Sequence, residues 1–126
     1  MRKKRLSFRE RMEEESNRRN GLYNLDQTLQ DKIKLYEQAT AGEKVCKYFS
    51  WKDFCVIFAT TTYLWLFNYD DSEFGIFNEC GMSYFYTEGD EKRQYFCLKC
   101  SQPEDLLKNA SIDGKYLSEL WEEMYI

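Results

Sequence analysis

The sequence contains no histidine, a single proline (Pro103) and six glycines in 126 residues. Without histidine the commonest general base is missing. A Ser or Cys nucleophile would need a lysine or carboxylate to activate it, and no motif marks such an arrangement. A P-loop, a G-x-G-x-x-G turn and an H-E-x-x-H helix are also absent. An enzyme is therefore not expected, and neither is a cofactor. The scarcity of Gly and Pro excludes low-complexity and Pro-rich chains. The longest apolar stretch, "FCVIFATTTYLWLFN", is short for a bilayer span and is interrupted by three threonines. No apolar h-region follows the charged start, so a cytoplasmic protein with no membrane partner is expected.

The five cysteines are an odd number, and with no export signal they are expected as free thiols. Cys97 and Cys100 form a C-x-x-C within "RQYFCLKC". Residues three apart in a strand point to opposite faces, so this pair cannot grip one ion from a strand. A zinc-stabilised adaptor using Cys80, Cys97 and Cys100 is the alternative, and it lacks a second C-x-x-C. A redox pair suits the site least, because reactive cysteines of that spacing gain their acidity at a helix start.

Aromatic side chains are abundant: ten Tyr, nine Phe and three Trp, enough to fill the core of a single domain. Charge is abundant too, and it is segregated. Residues 1–20 carry eight Lys and Arg against four Glu, while residues 21–126 hold ten bases and eighteen acids. The domain division that follows is a basic arm over 1–20 and an acidic body over 21–126. Arg2, Lys3, Lys4, Arg5, Arg9, Arg11, Arg18 and Arg19 are the candidates for contact with phosphate or with an acidic partner.

Periodicity orders the rest. Residues 6–19 read as a charged helix broken at Asn20-Gly21. A second helix starts at Asn24 and carries the stripe Leu22, Leu25, Leu29, Ile33 and Tyr36. "KVCKYFSW" and "DFCVIFATT" read as strands, although Ser50 with Asp53 could instead start a helix over 51–59. "TYLWLFNY", "FGIFNECGMSYFY" and "RQYFCLKC" complete the strands, with turns at "DDSE" and "TEGDEK". A last helix, capped by Asp113, carries Leu117, Leu120, Trp121 and Met124. The expected fold is α+β: an antiparallel meander of about four strands packed by flanking helices, with an N-terminal basic helical arm.

A last hairpin symmetric about Asp90 would set Met82 opposite Leu98, Tyr84 opposite Phe96 and Cys80 opposite Cys100. The strand "TYLWLFNY" is apolar on both faces and so needs cover on both. If the chain's own helices cover only one, an aromatic patch drawn from Tyr48, Phe49, Phe77, Phe85 and Tyr95 becomes a protein interface. The expected function is thus a small non-catalytic protein-binding module. Four alanines and many Tyr, Phe, Lys and Glu suit a phage or mobile-element product from an AT-rich genome. Inhibition of a host nucleic-acid-handling enzyme, or of its nucleoprotein complex, would match an acidic body and a basic arm. The alternative is a module for RNA or single-stranded DNA, using the arm and stacking aromatics.

Overall fold

Ser7, Asp26 and Ser50 each present a side-chain oxygen to the amide three residues ahead, and each begins a helix. The structure, a computed structural model, describes residues 7–126. Glu10 N donates to Ser7 Oγ at 3.1 Å, Leu29 N to Asp26 Oδ1 at 2.9 Å, and Asp53 N to Ser50 Oγ at 3.1 Å. These bonds satisfy amides that a helix start leaves without partners. The helices are α1 (Phe8–Arg19), α2 (Gln27–Glu37) and α3 (Trp51–Thr60). The cap of α2 is Asp26, two residues beyond the expected Asn24, which lies in a 3-10 turn (Leu22–Asn24).

Residues 51–59 are helical, which settles the one element the sequence leaves open. Phe54, Ile57 and Phe58 recur at helical spacing and are fully buried. The Ser50 cap and this stripe outweigh the β-propensity of the segment. "KVCKYFSW" is not a strand either, because a 3-10 turn occupies Val45–Lys47.

Four strands follow: β1 (Trp65–Tyr69), β2 (Ser72–Glu79), β3 (Met82–Thr87) and β4 (Phe96–Cys100), paired antiparallel in chain order. The expected single strand "FGIFNECGMSYFY" is a hairpin. Glu79 pairs with Met82 across Cys80 (φ 50°) and Gly81 (φ 77°), a two-residue turn of the kind that matches strand twist. Asp70 and Asp71 (φ 47° and 65°) make the same turn between Tyr69 and Ser72. The β3–β4 loop turns later than Asp90. Ser83 pairs with Cys100, Phe85 with Leu98 and Thr87 with Phe96. That shift from the expected pairing is an odd number of residues, so β3 presents its opposite face.

The C-terminal part begins with α4 (Pro103–Asn109), whose proline stands in the first turn, where its missing amide costs nothing. A two-strand ribbon follows, β5 (Ser111–Ile112) with β6 (Lys115–Tyr116), then the short α5 (Leu117–Leu120) and a 3-10 turn at Trp121–Glu123. Asp113 (φ 53°) turns the ribbon and does not cap the last helix. The expected stripe nevertheless holds, with Leu117, Leu120, Trp121 and Met124 all buried.

The buried residues of α2, α3, α4 and α5 form one core with the inward side of the sheet. Trp65, Phe67, Phe74, Ile76 and Phe85 point inward and are at most 4% exposed. The aromatic centre is Phe54, whose ring lies 4.8 Å from Trp121, 5.4 Å from Phe67 and 5.7 Å from Trp65. Trp121 Nε1 donates to Phe49 O at 2.9 Å, so the buried indole is satisfied. Asn78 ties the sheet to the end of α3: its Nδ2 donates to Phe58 O at 2.7 Å and to Thr61 O at 3.1 Å. The fold is α+β, an antiparallel four-strand meander with flanking helices. Among the described residues no helix is long and apolar enough to cross a membrane.

Candidate functional site

The sheet registers fix what lies on its other face. One row across the strands is Leu66, Gly75, Tyr86 and Cys97. The next is Phe77, Tyr84 and Lys99, with Leu64 continuing it at the start of β1. On the far side of the Tyr86 row come Asn68 and Glu73, then Glu88 and Tyr95 just past the strand ends. No side chain of these rows belongs to the buried core cluster or packs against it. Leu64 is 52% exposed, Leu66 40% and Tyr95 68%. Among the described residues the doubly apolar strand "TYLWLFNY" is therefore covered only on the Trp65 and Phe67 side.

The outer face has internal order. Phe77 and Tyr84 stack with ring centroids 4.8 Å apart at 14°, and Tyr86 meets Phe77 edge-on at 5.9 Å. Tyr86 lies over Gly75, and Lys99 lies 5.9 Å above the Tyr84 ring. Two shallow depressions flank Tyr86. One, of about 350 Å³, is lined by Leu64, Phe77, Tyr86, Glu88, Tyr95 and Cys97. The other, of about 290 Å³, is polar and runs past Glu73, Gly75, Tyr86 and Glu88. A cleft of about 270 Å³ at the β1 edge, between Leu64, Leu66 and the α2 side chains Ile33 and Tyr36, continues the apolar surface. Burial pushes the hydroxyls of Tyr36 and Tyr63 in that cleft up to about 12.

Charge on this surface is one-sided. Glu73, Glu79 and Glu88 are exposed, and none is in a salt bridge among the described residues. By contrast Asp70 and Asp71 are bound by Lys92 at 3.1 and 3.3 Å. Asp90 Oδ1 accepts the amides of Lys92 and Arg93, each at 2.8 Å. Burial, then Glu88 and Glu73, raise the Tyr86 hydroxyl above its ordinary range.

The five aromatics expected at an interface are divided. Phe77 and Tyr95 lie on the outer face. Phe49 is buried, with its ring 5.2 Å from Tyr36 and 5.8 Å from Trp65. Phe85 is 2% exposed and stacks on Phe74 at 5.8 Å. Both belong to the core, Phe85 because of the register shift. Tyr48 is half-buried outside the sheet, and its hydroxyl donates to Glu43 Oε2 at 2.7 Å. Leu64, Leu66, Tyr84 and Tyr86 are the surface residues the sequence reading omits. The Cys80-Gly81 turn is the signal that would have placed the two tyrosines outward.

The thiols are dispersed. Cys80 lies in a turn, Cys97 is on the outer face opposite Tyr86, and Cys100 is on the inner face opposite Ser83 and not Cys80. Among the described residues no three His, Cys, Asp or Glu gather as metal ligands. Of the basic candidates, Arg2, Lys3, Lys4 and Arg5 lie outside the described residues. Arg9, Arg11, Arg18 and Arg19 are exposed on α1, interleaved with four glutamates, and Arg18 meets Glu14 at 3.6 Å. The C-terminal end of α1 is fixed to the body: Tyr63 Oη donates to Asn17 Oδ1 at 3.0 Å, and Thr62 N to Asn20 O at 3.0 Å.

The class defined by these features is an α+β domain with a one-sided, aromatic antiparallel sheet. No protein-family pattern, no curated protein and no solved structure matches the chain.

Proposed function

We propose that this protein is a small, non-catalytic binding module that docks another protein on the outer face of its sheet. The observation that carries the reading is the contrast between the faces. The inner face is covered by the core that α2, α3, α4 and α5 help to form, whereas among the described residues the outer one presents Leu64, Leu66, Phe77, Tyr84, Tyr86 and Tyr95 outside that core. Contiguous apolar surface of this kind, rimmed by charge, marks an interface, and tyrosine is favoured in such surfaces. The carboxyl groups held below their ordinary pKa support a non-catalytic role. Glu43, Asp53, Asp70 and Asp90 each owe the shift to a bond that fixes a turn or a helix.

The expectation of an inhibitor of a nucleic-acid-handling enzyme rests on the same surface, because the acidic body would meet the basic groove of such an enzyme. Direct nucleic-acid binding is the weaker reading. Bases on α1 are balanced by its own glutamates, and the stacking face is bordered by carboxylates that repel phosphate. The test is affinity purification with the intact chain and with a Phe77→Ser, Tyr84→Ser, Tyr95→Ser variant whose fold is verified by circular dichroism. A stoichiometric partner held at high salt by the intact chain and lost by the variant supports the reading. Equal retention by both removes the outer face from consideration.

A further inference from the structure

We infer that the outer face recognises a cationic, apolar segment of its protein partner. An arginine or lysine side chain is held at Tyr86 between Glu73 and Glu88, and a neighbouring apolar side chain seats against Leu64, Phe77 and Tyr95. This inference rests on the protein-binding reading above and specifies the partner's chemistry.

Three observations carry it. The two depressions share Tyr86 and Glu88, so one short segment spans both. The polar depression holds four acidic residues, but two are already engaged: Asp71 by Lys92, and Asp90 by the Lys92 and Arg93 amides. Glu73 and Glu88 remain, with no side-chain hydrogen bond or ion pair among the described residues. They stand opposite each other across β2 and β3, one row from the Tyr86 ring. An aromatic ring beside a pair of carboxylates attracts a cation through both the quadrupole and the charge, and guanidinium suits this better than ammonium because it stacks and forks. Burial first, and then the neighbouring Glu88 and Glu73, raise the Tyr86 hydroxyl above its ordinary range, in keeping with carboxylates close to the ring.

The same charges disfavour other occupants. Among the described residues of these rows a phosphate-bearing strand would meet Glu73, Glu79 and Glu88 with only Lys99 in compensation, and Lys99 already lies over Tyr84. A wholly apolar partner would strip water from carboxylates and leave them unpaired, which is costly. A second copy of this chain would set three glutamates against three glutamates, again with a single lysine on each side.

The test is an amide NMR titration of the full chain at about 50 mM salt, where surface charge is weakly screened. The probes are a short alternating Arg/Leu peptide, its Glu/Leu counterpart and an oligothymidylate. The expected result is saturable shifts at Glu73, Gly75, Tyr86 and Glu88 with the Arg/Leu peptide only. Affinity should fall about tenfold in a Glu73→Gln, Glu88→Gln variant, since a paired, partly desolvated charge is removed. It should stay unchanged in a Glu104→Gln, Glu122→Gln control, whose sites are exposed off this face. An equal loss in the control reduces the binding to net charge and overturns the assignment. Binding of the Glu/Leu peptide on the same amides, lost with Phe77→Ser but indifferent to the glutamate variant, overturns the cationic partner and spares the protein-binding face. Shifts with oligothymidylate alone overturn both. Silence of the face up to about 5 mM Arg/Leu peptide, or shifts that track protein concentration without any probe, also overturns the proposal.

Discussion

The ring of Tyr86 lies directly over the α-carbon of Gly75, so close that a β-carbon at position 75 would meet Tyr86 Cε1 at 2.3 Å and its hydroxyl at 2.7 Å. Gly75 is thus the socket that admits the phenol end of Tyr86 over β2 while its ring meets Phe77 edge-on. Gly75→Ala is expected to swing the ring outward while the fold persists, because the obstructing atoms are the free end of a side chain. The cost should be about 1 kcal/mol, which is a few degrees in Tm for a chain of this length. The Gly75 α-protons should resonate upfield under the ring current in the intact protein. Ordinary shifts there would contradict the placement of Tyr86.

Phe77 and Phe85 provide a sharper comparison, because they lie on opposite faces and the sequence reading gave both to the interface. Phe85 is enclosed and stacked on Phe74, so Phe85→Ala should cost about 3–5 kcal/mol. Phe77 loses mainly its stack on Tyr84, so Phe77→Ala should cost about 0.5–1.5 kcal/mol. If Phe85→Ala fails to accumulate, Phe85→Leu gives the same ordering. Urea denaturation of the pair, with Phe77→Ala the more damaging, would reverse the assignment of faces.

That error shows what the sequence carries and what it does not. Helical stripes are readable because several residues repeat one spacing, as with Leu29 and Ile33 or with Leu117, Leu120, Trp121 and Met124. The helix over 51–59 is half readable, since "DFCVIFATT" is β-prone throughout and the Ser50 cap with the Phe54, Ile57 and Phe58 stripe is what favours a helix. A sheet face is different, because it depends on counting residues through turns. Cys80 adopts a positive φ that few non-glycine residues take, so "FNECGMSY" passes for continuous strand. The β3–β4 loop spans Glu88 to Tyr95, and nothing in its composition says where it folds back. A miscount by an odd number turns every side chain of a strand over. The existence of an uncovered face is therefore legible in the sequence, but of its six apolar members only Phe77 and Tyr95 are.

Asn78 should matter more than its partial exposure suggests. Its amide serves two carbonyls at the end of α3, and its oxygen accepts from the buried Ser83 hydroxyl. Asn78→Ala leaves those groups without partners and should cost about 1–3 kcal/mol. Asn78→Asp keeps the shape but turns an acceptor toward Phe58 O and Thr61 O, so it should be at least as damaging at neutral pH. Equilibrium unfolding that finds the aspartate variant as stable as the parent would remove this clamp from the account.

Acid stability should report on Glu43. Its carboxylate accepts from Lys47 Nζ at 2.6 Å, Tyr48 Oη at 2.7 Å and Thr40 N at 2.8 Å, and these bonds hold its pKa down to about 2. The same residue's carbonyl accepts the Ile126 amide at 2.8 Å, so the chain end is anchored beside it. A folded pKa below the unfolded value means that ionisation favours folding. The contribution is complete above the unfolded value of roughly 4.3 and is lost as pH falls from there toward about 2. Glu43→Gln should lower Tm at pH 7 and flatten its fall across that acid window, because no proton is then taken up at this site. A variant whose Tm declines through the window as steeply as the parent's would place the acid sensitivity elsewhere, with Asp70 and its Lys92 and Arg93 partners the next group to test.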